Sequence, residues 1–244
     1  MKQVYSLFLA LTKNWLRTKS GIFFTFLLPI LYLLLMMVIP HEDVMEIDPI
    51  KHILPGLIAA FIAINGIMGV TIGVTEYKIN GTLKRLIASP LKKREWILAN
   101  LVQQTLLAVL LAGVMVLLSI PAFNARVYLP FHTLMVVFLG AITFCSLGIF
   151  LAGIIEDKET AIGIANGIGI PMVFLSGVFI PLEVMPEWMQ TVTKLLPVHY
   201  LYRGLKEVMM LNNPPGLLKP FIILILFTIL FLFLAVKTVK WKDL

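Results

Sequence analysis

No Asp, Glu, Lys, Arg or His lies well inside any of the six long apolar runs of this chain; His52, Glu76, His132 and Lys219 sit at their edges. Transporters driven by protons, and many driven by other ions, need such groups at mid-membrane to take up and release the driving ion. Their absence argues against a secondary transporter. The lack of a charged ring or a carbonyl-lining repeat argues against an ion channel. There is no GxxxxGK[ST] phosphate loop, so this chain cannot hydrolyse ATP by that route. Cys145 is the single cysteine, which excludes an internal disulfide, and the four histidines stand outside any ligand motif. Neither a metal site nor a membrane-embedded enzyme is therefore indicated. No basic stripe with an aromatic platform is present either, which argues against a nucleic-acid partner.

What the chain has instead is apolar surface. Hydrophobic residues make up 59% of its 244 positions and charged ones 14%, with a mean hydropathy of +0.96, more than a soluble domain could bury. The expected fold class is an all-α membrane protein with six spans, near 22–39, 53–75, 96–119, 131–155, 161–180 and 220–236. Pro29 is expected to bend the first span. Asn65 reads as an interhelical hydrogen-bonding group, and Gly69 and Gly73 as a small-residue pair for close packing. Gly163 and Gly167 share a face of the fifth span, suited to a dimer contact, a pathway or plain packing, while Gly169 and Pro171 should loosen that helix.

Before the first span, residues 2–19 form an amphipathic helix with Val4, Phe8, Leu11 and Trp15 on one face and Lys2, Ser6, Lys13 and Arg17 opposite. Such a helix lies on a membrane surface; it reads as an interfacial anchor or as a grip on a partner, and not as a cleavable signal. His41, Glu42, Asp43, Glu46 and Asp48 make an acidic loop and Glu156-Asp157-Lys158-Glu159 a charged turn, both read as solvated rather than as cation sites.

The connector 76–95 joins spans two and three. Ile79, Leu83, Leu86 and Ile87 form one helical stripe, with Lys78, Lys84 and Arg85 off it. Gly81 and Thr82 supply a start and Pro90 a stop. Lys92, Lys93, Arg94 and Trp96 then read as an interfacial anchor. Between spans five and six, residues 181–218 hold two short amphipathic pieces, one striped by Trp188, Val192, Leu195 and Leu196, the other by Leu201, Leu205, Val208 and Met209. They either dip into the outer leaflet as a hairpin or cap the bundle. With both termini in the cytoplasm, fourteen Lys and Arg fall on the inner side and six on the outer, the bias expected of a plasma-membrane protein in that orientation.

Two motifs carry a resemblance. Glu76, Gly81-Thr82-Leu83, Arg85-Leu86 and Ser89-Pro90-Leu91, followed by Glu95 and Leu98, resemble the connector after the second span of type-2 ABC export permeases. Ser176-Gly177-Val178-Phe179-Ile180-Pro181-Leu182, Met185-Pro186-Glu187-Trp188, Leu196-Pro197 and Arg203 resemble that family's re-entrant segment between its last two spans. Lys84 and Asn100 depart from the pattern, where an acidic residue and a lysine are common.

The resemblance implies a homo- or heterodimer of permease chains bound to two separate ATPase subunits, with ATP-Mg on those partners and no cofactor here. It implies that the first helix, with Phe8, Leu11, Trp15 and Arg17 as its interfacial residues, and the connector, with Glu76, Gly81, Thr82, Leu83, Arg85, Leu86 and Pro90 as its coupling residues, sit against the ATPases. Leu83→Asp and Leu86→Asp are expected to uncouple transport without unfolding the bundle. Gly177, Pro181, Pro186, Trp188, Pro197 and Arg203 would form the outer re-entrant segment. An apolar interior favours a lipophilic or amphipathic substrate, a drug, lipid or peptide. The rival function is a non-transporting scaffold or sensor partnered with an ATPase.

Overall fold

The computed structural model describes residues 2–38, 49–123, 131–180, 182–239 and 241, which are helical or lie in short turns between helices. The acidic loop at 41–48, most of the loop at 121–130, Pro181, Lys240 and Lys242 lie outside the described residues. The elements are α1 (Lys2–Arg17), α2 (residues 19–38), α3 (residues 49–79), α4 (Thr82–Ile87), α5 (Lys93–Phe123), α6 (Phe131–Ile154), α7 (Lys158–Phe174), α8 (Glu187–Thr193), α9 (Pro197–Met209) and α10 (Leu218–Thr238). Among the described residues, four stretches are long and apolar enough to cross a membrane: Ile53–Ile79, Lys93–Ile120, Phe131–Ile154 and Pro214–Thr238. Thr25–Leu35 in α2 is apolar but shorter.

The core is organised around α6, which packs on α3, α5, α9 and α10. From Gly140 to Ala152 it is buried or half-buried all round, Ala141, Phe144, Ile149 and Ala152 among its core residues, while Phe131, Leu134 and Phe138 nearer its start are exposed. Contact with α3 is close enough to require glycine on both helices. A Cβ on Gly66 would stand 2.5 Å from Phe144 Cβ, and one on Gly148 would collide with the Gly66 carbonyl. The pair expected to do this, Gly69 and Gly73, faces open space, as do Gly163 and Gly167 on α7. At the rim, α10 exposes Ile222, Leu226, Ile229 and Phe233. Such a face is costly in water and ordinary against hydrocarbon.

Two π-turns interrupt the helices, Phe23–Leu27 within α2 and Asn65–Gly69 within α3. The first has a local cause. Pro29 has no N–H to give the Thr25 carbonyl, and the wide turn just upstream, closed by Leu28 N–H on Phe23 O, absorbs the mismatch. The fifth apolar run is helical to Phe174 and not to 180, because Leu175 N–H closes the last turn on Pro171 O and Gly177 then takes φ +88°. Of the two short amphipathic pieces, α9 is core: Leu201, Leu205, Val208 and Met209 are buried, with α9 packed on α3, α6 and α10. The stripe on and after α8 is instead open, with Trp188 63% and Leu195 70% exposed.

Candidate functional site

The connector is built as a stiff corner. Lys78 ends the long α3 helix by placing its ammonium on the last turn of α6, 2.8 Å from Ala152 O and 2.5 Å from Ile155 O. A cation over a helix C-terminus meets both its unpaired carbonyls and its negative dipole end. Lys93 does the same for α10, donating to Val236 O and, at 2.5 Å, to Val239 O. Glu95 accepts from Lys92 N–H at 2.8 Å and so starts α5. Glu76 pairs with Lys158 at 3.2 Å, tying the end of α3 to the start of α7, which Asp157 caps by accepting from Thr160 N–H at 2.8 Å. Asp157 is held below the usual carboxylate range first by that N–H and then by the Thr160 hydroxyl.

Between these braces Gly81 takes φ +69°, a left-handed conformation suited to glycine, and turns the chain into α4. Pro90 follows the end of α4 and is exposed. Leu83 is buried at 2% exposure in a cluster with Leu7, Leu11, Val74, Leu91, Trp96 and Ile97, and Leu86 packs on the same cluster half-buried. The expectation that Leu83→Asp spares the bundle is therefore corrected, since that carboxylate would lie in an apolar core. Ile79 is not in the α4 stripe: it ends α3 and is 52% exposed. Trp96 is not an interfacial anchor but is fully buried, 6.0 Å from the Trp241 ring. Arg85 and Lys84 are exposed, and Thr82 is half-buried.

Helix α1 joins this assembly. Leu7 and Leu11 are buried, with α1 packed on α5, Phe8 and Trp15 are half-buried, and Asn14 donates to Tyr77 Oη at 3.2 Å. Lys13 and Arg17 are exposed, as are Tyr5, Leu9 and Leu16 on a separate apolar face. Of the α1 residues singled out, Leu11, with Leu7 and Val4, thus shares one cluster with the connector, whereas Trp15 packs edge-on to Phe26 of α2, ring centroids 5.8 Å apart.

The structure does not bring the 176–203 segment to that cluster. Val178 and Tyr202 lie against Gly56 near the start of α3, about 35 Å from the connector at a helix rise of 1.5 Å per residue. In that segment Thr193 Oγ1 donates to Leu175 O at 2.5 Å, and buried His199 gives its Nδ1–H to Ser176 O at 3.0 Å. Pro197 opens α9 and is buried, Pro186 precedes α8, and Arg203 is exposed. His199 stands in no sequence motif, and only the packing of α9 against the turn at Ser176 gives it a partner.

A family model described as ABC-2 type transporter matches residues 2–210. The chain belongs to the ABC-2 type transporter family. It is 26% identical over 235 residues to the putative transport permease YvfS of Bacillus subtilis (strain 168), covering 95% of this chain and 94% of that protein. It is 24% identical over 160 residues to the probable multidrug ABC transporter permease YbhR of Escherichia coli (strain K12), covering 64% and 43%. It is 22% identical over 141 residues to the linearmycin resistance permease protein LnrN of Bacillus subtilis (strain 168), covering 58% and 37%. The chain thus spans nearly all of the first relative and under half of the other two. As an ABC-2 type transporter it is a multi-pass membrane protein of a permease class that normally works with ABC ATPase subunits and is not itself the enzyme.

Proposed function

We propose that this chain is the permease subunit of an ATP-driven exporter in the plasma membrane, with six spans and both termini cytoplasmic. Two such chains would pair and bind two ATPase subunits that carry ATP-Mg. The observation that carries the reading is the braced connector: α4 is locked through Leu83 to α1, α3 and α5, while Arg85 is left exposed. A push on Arg85, Thr82 or the outer face of α1 would reach three helices as displacement, because a packed core moves as a body. Closure of the ATPase pair would then shift the inward-open and outward-open populations by differential contact with the connector.

The cargo in this reading is lipophilic or amphipathic, a drug, lipid or peptide. Support comes from the uncharged spans and from relatives, one named a probable multidrug ABC transporter permease and one a linearmycin resistance permease protein. The test is to purify the chain with a candidate ABC ATPase, sought first in the neighbouring reading frames, and to measure ATP hydrolysis with and without lipophilic compounds. The reading expects a stable complex whose rate changes with added compound. A complex whose rate ignores every compound, and which moves nothing across vesicles, would favour the scaffold or sensor instead.

A further inference from the structure

Three span ends meet the connector around a cavity of ≈820 Å³. Lys78 and Ile79 line it from α3, Ile154 from α6, Lys237 from α10 and Lys84 from α4. Its walls are of two kinds. Ile79 and Ile154, 52% and 56% exposed, present apolar surface where the spans end, and the charged lining is Lys78, Lys84 and Lys237 with one carboxylate, Glu156. Lys78 is committed to the α6 carbonyls, but Lys84 and Lys237 are exposed and pair with no carboxylate among the described residues.

We infer that this cavity is a binding site for an anionic phospholipid of the inner leaflet, its phosphate between Lys84 and Lys237 and its acyl chains along Ile79 and Ile154. Basic pockets between helices at the cytoplasmic side suit such headgroups, because the anion meets fixed cations while the tails stay in hydrocarbon. An ATPase side chain would need the charge but not the apolar flank. That flank, placed at the ends of Ile53–Ile79 and Phe131–Ile154, is what favours a lipid over a protein segment. The site goes beyond the transport reading and borrows from it only which end of the bundle is inner. Its occupant would brace α4 against α10, so lipid composition would bear on the stiffness of the connector.

The test is lipid retention by the purified full chain, which requires neither ATPase nor transport. Protein in detergent is mixed with phosphatidylglycerol or phosphatidylcholine of matched chains, and bound lipid is counted by native mass spectrometry. The chain is expected to retain phosphatidylglycerol preferentially. The double variant K84Q/K237Q should bind it about tenfold or more weakly, from the loss of two cations near a lipid phosphate. A control double variant K194Q/K219Q removes the same charge from the opposite end and should bind as the parent does. Millimolar inorganic phosphate should not displace the lipid, since it lacks the chains. Equal retention of the two lipids, or equal losses in the two double variants, would overturn the proposal. So would displacement by phosphate alone, which would mark a plain anion site. Unchanged retention in K84Q/K237Q would overturn it as well.

Discussion

Thr25 Oγ1 donates a 2.7 Å hydrogen bond to Asn65 Oδ1, and the bond joins the two π-turns. Asn65 in turn gives its Nδ2–H to Phe61 O at 2.8 Å, so its amide bridges α2 to the backbone of α3. A bond between two polar side chains inside an apolar bundle contributes about 0.6 kcal/mol on average and up to about 1.7. Asn65→Leu is therefore expected to lower stability in detergent by about 1 kcal/mol. A double-mutant cycle with Thr25→Val should show a coupling of about 0.5 kcal/mol or more. Strict additivity would mean that the two side chains act independently.

Leu83 and Arg85 stand two positions apart on α4 and should behave as opposites. Leu83→Ala removes a buried side chain from the cluster of Leu7, Leu11 and Trp96, and is expected to cost about 2–5 kcal/mol. Arg85→Glu alters an exposed group and should change stability by less than about 0.5 kcal/mol. Its effect should fall on ATPase association, measured by co-purification. If Arg85→Glu unfolds the chain, or leaves association unaltered, the outward face of α4 does not do what is proposed.

The glycines give a contrast that needs no partner. Gly66→Ala places a methyl 2.5 Å from Phe144 Cβ and 2.8 Å from its carbonyl carbon, and backbone on α6 cannot yield as a flexible side chain would. It should lower the thermal midpoint by several degrees. Gly69→Ala and Gly163→Ala meet open space and should leave the isolated chain as stable or slightly more so, alanine being the better helix former. Loss of dimer in the latter two variants, with the fold intact, would assign those faces to the second chain. Size-exclusion chromatography with light scattering reads it directly.

Lys78 should matter for α6 and Glu76 much less. Lys78→Met leaves the Ala152 and Ile155 carbonyls without their cation, at an expected cost of about 1–2 kcal/mol. Glu76→Gln removes one carboxylate from a pair whose side chains are each 45% exposed, where about 0–1 kcal/mol is at stake. Chemical denaturation in a fixed detergent separates the two.

Asp157 supplies a pH dependence of known sign. Its carboxylate is held low by the Thr160 N–H and hydroxyl, so the cap's contribution is fully present above the unfolded aspartate value and is lost as pH falls through the lower folded one. The thermal midpoint should therefore fall at acid pH. Asp157→Asn, which still accepts a hydrogen bond but does not titrate in that range, should remove that part of the fall. An identical acid profile in the two proteins would show that the cap does not control it.

Much of this architecture could be read from residue order. The apolar runs near 53–75, 96–119, 131–155 and 220–236 coincide with the four stretches able to cross a membrane, and the Leu201, Leu205, Val208, Met209 stripe is a buried face. The start of α4 at Gly81 was legible because a left-handed turn selects glycine. What escaped depends on residues far apart in the chain. Trp96 beside Lys92, Lys93 and Arg94 has the composition of a membrane-interface belt, and only the packing of α1 and Trp241 buries it. Lys78 reads as a surface cation until the end of α6, more than seventy positions later, is folded onto it. Gly69 and Gly73 match a packing motif, yet the close approach to α6 falls at Gly66, because Phe144 and Gly148 decide which turn of α3 is touched.

The most direct measurement is uptake of a lipophilic fluorescent dye, the proposed class of cargo, into inverted vesicles holding this chain with the candidate ABC ATPase. Accumulation should require ATP and both proteins, and should fall sharply with Arg85→Glu while the protein remains folded. Movement of the dye by this chain with no ATPase present, or none with both proteins and ATP, would contradict the account.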